Sequence, residues 1–185
     1  MRSQSRLDSV LENFFIDSQN VCFLSELKEE QIADHLCESP SSVAFLGQET
    51  GRVCPEGISF ETRRGCLFIH AGSKVRRKGS KARAGVFIAL GPRFTGLWNT
   101  TGKLLSHSMR HVAIELHLSG HRICVASAYA PLSTSSSRLR SSFCSELASF
   151  ASDSTRSVIV GIDSNSSVGT GRHGLAESVG PHNLP

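Results

Sequence analysis

The sequence predicts an α+β domain in which the polar chemistry gathers where strands give way to loops. Three observations carry this reading. Val158–Gly161 is an apolar run that stops abruptly at Asp163, Ser164 and Asn165, the pattern of a buried strand opening into a polar loop. Val112–Leu118 alternates Val, Ile and Leu with Ala, Glu and His, and after Gly120 the chain returns as Ile123–Tyr129, which together read as an antiparallel hairpin. Leu139, Phe143, Leu147 and Phe150 recur at spacings of four and three, one face of a helix.

The remaining elements follow in chain order. Leu7, Val10, Leu11, Phe14 and Phe15 recur at helical spacing, so 6–16 reads as a short amphipathic helix. Asn20–Leu24 reads as a brief strand. Ser25 then stands at a good N-cap position before a helix whose buried face is Leu27, Ile32, Ala33 and Leu36, and which stops near Pro40. Ser42–Leu46 is the next strand and Gly47–Thr50 the loop leaving it, which puts Glu49, like Asp163, at a strand end. Cys66–His70 and Gly85–Leu90 are two further strands, the second ending at Gly91-Pro92. Between them Lys74, Arg76, Arg77, Lys78, Lys81 and Arg83 place six basic residues in ten positions of a glycine-containing hairpin loop. Such a loop can grip a phosphate backbone, serve as a nuclear import address, or simply face water. Tyr129, the single tyrosine, closes its strand just before Ala130-Pro131.

At 185 residues and 39% hydrophobic, the chain can bury one core. The net charge of +4 permits a polyanionic partner without demanding one. The six cysteines form no CxxC pair, and several sit in apolar runs where a thiol behaves as a small hydrophobe. Free thiols and no disulfide-linked partner are therefore expected. No apolar run approaches the roughly 18 residues that span a membrane. Asp8 and Glu12 interrupt the N-terminus before any apolar signal core. A nuclear or cytoplasmic protein without a membrane partner is the expectation.

Two motifs mimic sites. Gly169–Gly174 matches GxGxxG, but Asp163–Val168 separate it from the strand that a dinucleotide fingerprint must follow directly. His107/His111 and His117/His121 have zinc-like spacing, yet neither pair brackets a Glu. What remains is Asn20, Glu49, Tyr129, Asp163 and Asn165, all at expected strand ends. Carboxylates from two strands can hold a hard cation through oxygen. A neighbouring Asp can position or deprotonate water, while Asn and Tyr donate to phosphate oxygens as they gain charge. Phosphodiester hydrolysis is the reaction these residues suit.

NVCFL (Asn20–Leu24), FLGQET (Phe45–Thr50), SAYAP (Ser127–Pro131) and VIVGIDSN (Val158–Asn165) occur here in a fixed order. In that order they resemble the endonuclease/exonuclease/phosphatase superfamily. Among its members the chain resembles the apurinic-type endonuclease domain of non-LTR retrotransposons, including craniofacial development protein 2-like relatives. GCLFIHAG, AGVFIAL and VGPHNLP are also similar to its segments. The resemblance implies a four-layer α/β/β/α sandwich, DNase I-like, and a division into an N-terminal helical extension (1–19) and an endonuclease-like domain (20–185). It implies Mg2+ (or Mn2+) held at Glu49, with Asn20 organising the metal site. It further implies that Tyr129 contacts phosphate, Asp163 activates water, Asn165 orients the phosphate, and DNA is the partner.

The chain departs from that pattern at particular positions. Ile162 stands where a Gly precedes the Asp, and Ser164 replaces an apolar or aromatic residue. The terminal motifs, a tryptophan-containing strand, an Asp-containing strand and a Ser-Asp-His, have no counterpart before Pro185. The expectation is a sandwich incomplete at its C-terminal side. Two readings follow: a DNA phosphodiesterase impaired by truncation, or a non-catalytic remnant that at most binds nucleic acid through 74–83.

Overall fold

Twelve elements follow one another in the computed structural model, which describes residues 14–39, 41–75 and 84–165. They are β1 (Phe15–Asn20), α1 (Glu26–Glu38), β2 (Ser42–Gln48), β3 (Ile58–Arg63), β4 (Cys66–Ala71) and β5 (Val86–Leu90), then α2 (Pro92–Thr101), β6 (Lys103–Ser108), β7 (His111–Leu118), β8 (His121–Tyr129), α3 (Ser137–Ala151) and β9 (Ser157–Asp163). One sheet has the order β1-β2-β5-β4-β3 and the other β6-β7-β8-β9. Pairing is antiparallel except at β1/β2 and β8/β9. The two parallel pairs deliver the ends of β1, β2, β8 and β9 in register, Asn20 opposite Gln48 and Tyr129 opposite Asp163.

Side-chain alternation sets the layers. In β4, Leu67, Ile69 and Ala71 enter the core between the sheets, while Cys66 and Phe68 turn toward α1. In β5, Val86, Ile88 and Leu90 go inward, and Phe87 and Ala89 outward. Across the sandwich, Val112, Ile114, Leu116 and Val125 complete the inner core, whereas Ala113, Cys124 and Ala126 meet Phe150 of α3. Strands buried on both faces read as unbroken apolar runs, which is why CLFIHA and VFIAL were legible. Each fully buried Leu or Ile of the inner core contributes roughly 1.5–3 kcal/mol by apolar area. At Gly161 an added Cβ would strike Ser18 Oγ and Leu46 Cδ1, so glycine permits the close approach of β9 to the first sheet.

Several expectations are corrected. Phe15 and Ile16 are strand, not the end of a helix, and the strand expected at Asn20–Leu24 instead ends at Asn20. Backbone pairing with β2 overrides the helical spacing; Ile16 packs on the inner core and Phe14 meets Phe94 edge-on at 5.3 Å. β1 thus crosses the division drawn at residue 19, while 1–13 lie outside the described residues. Pro92 does not merely stop a strand. It opens α2, where a missing N–H costs nothing, and the helix buries Phe94. β3 and β6 were not foreseen, and β2 runs two residues further, through Gln48.

Ser25 caps α1 as expected, its hydroxyl accepting from the Lys28 N–H at 3.3 Å. All six cysteines are free thiols. No helix among the described residues is long and apolar enough to cross a membrane. The expected incompleteness at the C-terminal side, like Gly169–Gly174, falls outside the described residues.

Candidate functional site

Side-chain hydrogen bonds join the two sheets at one end. Asn20 Nδ2, at the end of β1, donates to Asp163 Oδ2, at the end of β9, over 2.6 Å. The Tyr129 hydroxyl, at the end of β8, donates to Glu49 Oε1 over 2.5 Å. Asn165 completes the group: its backbone N–H reaches Asp163 Oδ1 at 3.0 Å and its Nδ2 donates to the Ala130 carbonyl at 2.6 Å. The structure therefore brings all five expected site residues to the same end of the sandwich.

Local backbone places them. After Asn20 the chain continues alongside the segment that leaves β2, with the Val21, Phe23 and Leu24 amides donating to the carbonyls of Gln48, Glu49 and Thr50 at 2.9, 2.8 and 3.0 Å. Glu49 itself takes φ 58° and Asn165 φ 47°. Left-handed backbone at non-glycine residues is uncommon and concentrates where surrounding structure over-determines a site. On the second sheet, the Ala130 N–H donates to the Asp163 carbonyl at 2.8 Å, which extends the β8/β9 register one step past Tyr129.

The electrostatics keep the phenol protonated. Burial is the largest influence raising the Tyr129 pKa, followed by its hydrogen bond to Glu49; a hydrogen bond with Asn165 opposes them. The charges of Glu49 and Asp163 add to the rise. A neutral phenol flanked by carboxylates is a hydrogen-bond donor, not a base.

Three supporting residues escaped the sequence reading. Gln48, 1% exposed, lies directly beneath the site and spans the sheets, its Nε2 donating to Ser18 Oγ at 3.2 Å and Ser127 Oγ at 3.1 Å. Cys22 lies in the loop, not in a strand; its thiol is 3.2 Å from Asn20 Oδ1 and 3.7 Å from Glu49 Oε2. Arg110 stacks over the Tyr129 ring at 5.6 Å and so brings a positive charge beside the phenol. Of these, only Gln48 carried a signal, a polar residue directly between an apolar strand and Glu49.

The basic segment opens from the same end. β4 and β5 pair antiparallel with Ala71 opposite Val86, and Val86 in turn faces Gln48 of β2. Lys74 is exposed there, at a groove of about 260 Å³ shared with Gly57, Gly72, Ser73, His107 and Ser108. Arg76, Arg77, Lys78, Lys81 and Arg83 lie outside the described residues.

The histidine pairs form no zinc site. His111 is buried against Ser106 and Ser108, and His117 pairs with Glu115. Among the described residues, the side chains grouped closely enough to hold a metal ion are instead Glu29, Glu61 and His70, with one ligand atom each within 4.8 Å of the others.

Compared with solved structures, the chain is similar to the endonuclease domain of TRAS1, a telomere-specific non-LTR retrotransposon. The TM-score is 0.53 at 12% identity, over 83% of this chain and 60% of that one. A humanized D. rerio TDP2 also matches (TM-score 0.47, 16% identity, 83% and 62% of the two chains). So does the human Nocturnin catalytic domain with bound sulfate (0.48, 12%, 82% and 64%). The chain spans less than two thirds of each of these structures, and at such identities the likeness concerns the fold. No protein-family model and no curated protein sequence matches the chain.

Proposed function

We propose that this chain is a metal-dependent phosphodiesterase of the retrotransposon endonuclease type, acting on DNA. The observation that carries the reading is the convergence of Asn20, Glu49, Tyr129, Asp163 and Asn165 across two sheets. Its sequence counterpart is the ordered set of four motifs in which those residues stand. The fold likeness to the TRAS1 endonuclease domain supports the same assignment.

The donor set suits a hard cation, since Glu49 and Asp163 offer carboxylate oxygens and Asn20 a carboxamide oxygen. Glu49 would hold Mg2+ (or Mn2+), with Asn20 fixing the neighbouring carboxylate. When bound, such an ion neutralises charge developing on the phosphate and on the leaving oxygen. Asp163, held by Asn20 Nδ2 and the Asn165 N–H, is oriented to accept a proton from water. Asn165 Nδ2 has a second N–H for a non-bridging oxygen beside the one on the Ala130 carbonyl, and the Tyr129 O–H would turn from Glu49 to another such oxygen once a cation takes that carboxylate. Lys74, Arg76, Arg77, Lys78, Lys81 and Arg83 would follow the flanking phosphates. A nuclear or cytoplasmic setting matches a DNA substrate and free thiols.

Nicking of supercoiled plasmid by the purified chain tests the proposal. Expected is slow, Mg2+-dependent conversion to open circles, as fits an impaired phosphodiesterase, that Glu49→Ala brings down to background. Wild-type nicking no faster than the Glu49→Ala control would refute the catalytic reading and leave DNA binding through 74–83.

A further inference from the structure

Beneath α1, away from the Glu49–Asp163 site, a second group of ionisable side chains is buried on the outer face of the first sheet. Glu29 of α1 is 1% exposed and His70 of β4 fully buried, with Glu61 of β3 beside them. Arg52 bridges the two carboxylates, one guanidinium nitrogen on Glu29 Oε1 and the other on Glu61 Oε1. Arg63 holds the remaining Glu29 oxygen, Oε2, at 2.8 Å.

His70 does not fit a purely structural ion network. Its Nε2 stands 3.7 Å from Glu29 Oε1, and neither ring nitrogen has a hydrogen-bond partner among the described residues. Buried imidazoles ordinarily satisfy at least one nitrogen. His70 Nε2 lies beside the two carboxylates, so the uncharged ring offers that nitrogen's lone pair to a shared ligand. A neutral imidazole aimed at two carboxylates is a three-ligand set of the kind that binds zinc, with the fourth position left to water. Ligand atoms around a tetrahedral zinc ion stand about 3.3 Å apart. The 3.7 Å separation of Nε2 and Oε1 is already near that value, and the whole set needs only modest side-chain rotation.

We propose that Glu29, Glu61 and His70 form a site for a zinc-class divalent cation, with the Arg52 guanidinium occupying the cation's place in its absence. Arg52 is the replaceable partner. Its side chain is 27% exposed, so it can swing into water and open the route by which the ion enters. Arg63 stays on Glu29 Oε2, which leaves Oε1 for the ion. Arg52 also lies three residues beyond Glu49, its N–H donating to Thr50 Oγ1 at 3.2 Å. Uptake of an ion therefore exchanges a tie between this loop and α1 for a metal bridge among α1, β3 and β4.

Cobalt(II) is the probe, because its visible bands report coordination directly, with Zn2+ as competitor. The full chain carries Glu49→Gln and Asp163→Asn, so that the other carboxylate site contributes nothing. Circular dichroism checks folding of each variant. Removing the guanidinium by Arg52→Gln is expected to tighten Co2+ binding by about tenfold or more. Adding His70→Gln to that variant is expected to abolish the bands. His70→Gln keeps a polar side chain of similar reach and leaves both carboxylates paired with Arg63, so it preserves the fold. Binding in Arg52→Gln no tighter than in its parent overturns the proposal. So do Co2+ bands that survive His70→Gln, or bands dominated by thiolate charge transfer.

Discussion

Asn20 and Asp163 belong to different sheets, and a 2.6 Å bond from the Asn20 carboxamide to the Asp163 carboxylate helps close the sandwich end. A charge-assisted bond of this kind is worth more than a neutral one, about 1.5–3 kcal/mol net. Asn20→Asp keeps the shape and places one carboxylate against another. One of the two carboxyls must then take a folded-state pKa above its unfolded value. Stability from such a group is present below the unfolded pKa and lost as pH rises through the raised one. Thermal unfolding should show Asn20→Asp close to wild type near about pH 4 and several degrees less stable near about pH 7. Equal destabilisation at both values would mean that the contact is not electrostatic.

Tyr129 is the single tyrosine, so phenolate absorbance reports one group. Burial and the Glu49 hydrogen bond hold its pKa above the ordinary value. The folded state therefore favours the protonated phenol, and that stabilisation disappears as pH climbs through the raised pKa. Glu49→Gln removes a negative charge while keeping an acceptor. The titration should move down toward the free-phenol value of about 10. An unchanged curve in Glu49→Gln would show that Glu49 does not act on this phenol.

Sequence signals were strongest where layers on either side bury both faces of a strand. CLFIHA and VFIAL carry apolar side chains to both sides, and their polar neighbours mark the ends. The same holds for Glu49 after β2 and Tyr129 at the end of β8. By contrast β9, read as a buried strand, is a sheet edge with Ile159, Val160 and Ile162 exposed, and Asp163 was marked by the change to polar residues alone. ISFETR and KLLSHS lie at sheet edges, half exposed with mixed polarity, and their pairing partners rather than their composition make them strands. Phe14 and Phe15 illustrate the opposite failure: helical spacing was present, but hydrogen bonds to β2 settled the conformation. The cluster of Glu29, Arg52, Glu61 and His70 had no local signature, because four separate segments assemble it.

Glu115 offers an acid-stability test away from the site. Arg122 is the main cause lowering its pKa to about 2, with His117 and Arg156 also donating. A carboxyl with a depressed folded-state pKa stabilises the fold above its unfolded value and loses that contribution as pH falls toward the folded one. The window therefore runs from about 4.5 down to about 2. Glu115→Gln also leaves Arg156, whose side chain is 7% exposed, without its closest carboxylate. At neutral pH the loss should be about 3 kcal/mol by urea unfolding. The deficit should shrink through the acid window, because wild type loses there what the variant never had. A constant deficit across that window would rule out this account.

The basic segment makes a prediction about salt. Ala71 and Val86 pair where Gln48 brings Glu49 to the sandwich end, so DNA bound at the proposed site would pass the connection that starts at Lys74. Each phosphate neutralised releases condensed counterions, and log K falls with log salt at a slope of roughly −0.9 per contact. Replacing Arg76, Arg77 and Lys78 with Ala should weaken DNA binding about equally for unrelated sequences, since phosphate contacts position without specifying. The same change should make the salt slope shallower by up to about 2.7, the sum of three contacts. Lys74→Ala should remove about one contact more. Fluorescence anisotropy across a salt series separates the outcomes. A triple variant with the wild-type slope would place these residues away from DNA, whatever its affinity. A shallower slope with plasmid nicking that persists would show that the segment holds the substrate without carrying the chemistry.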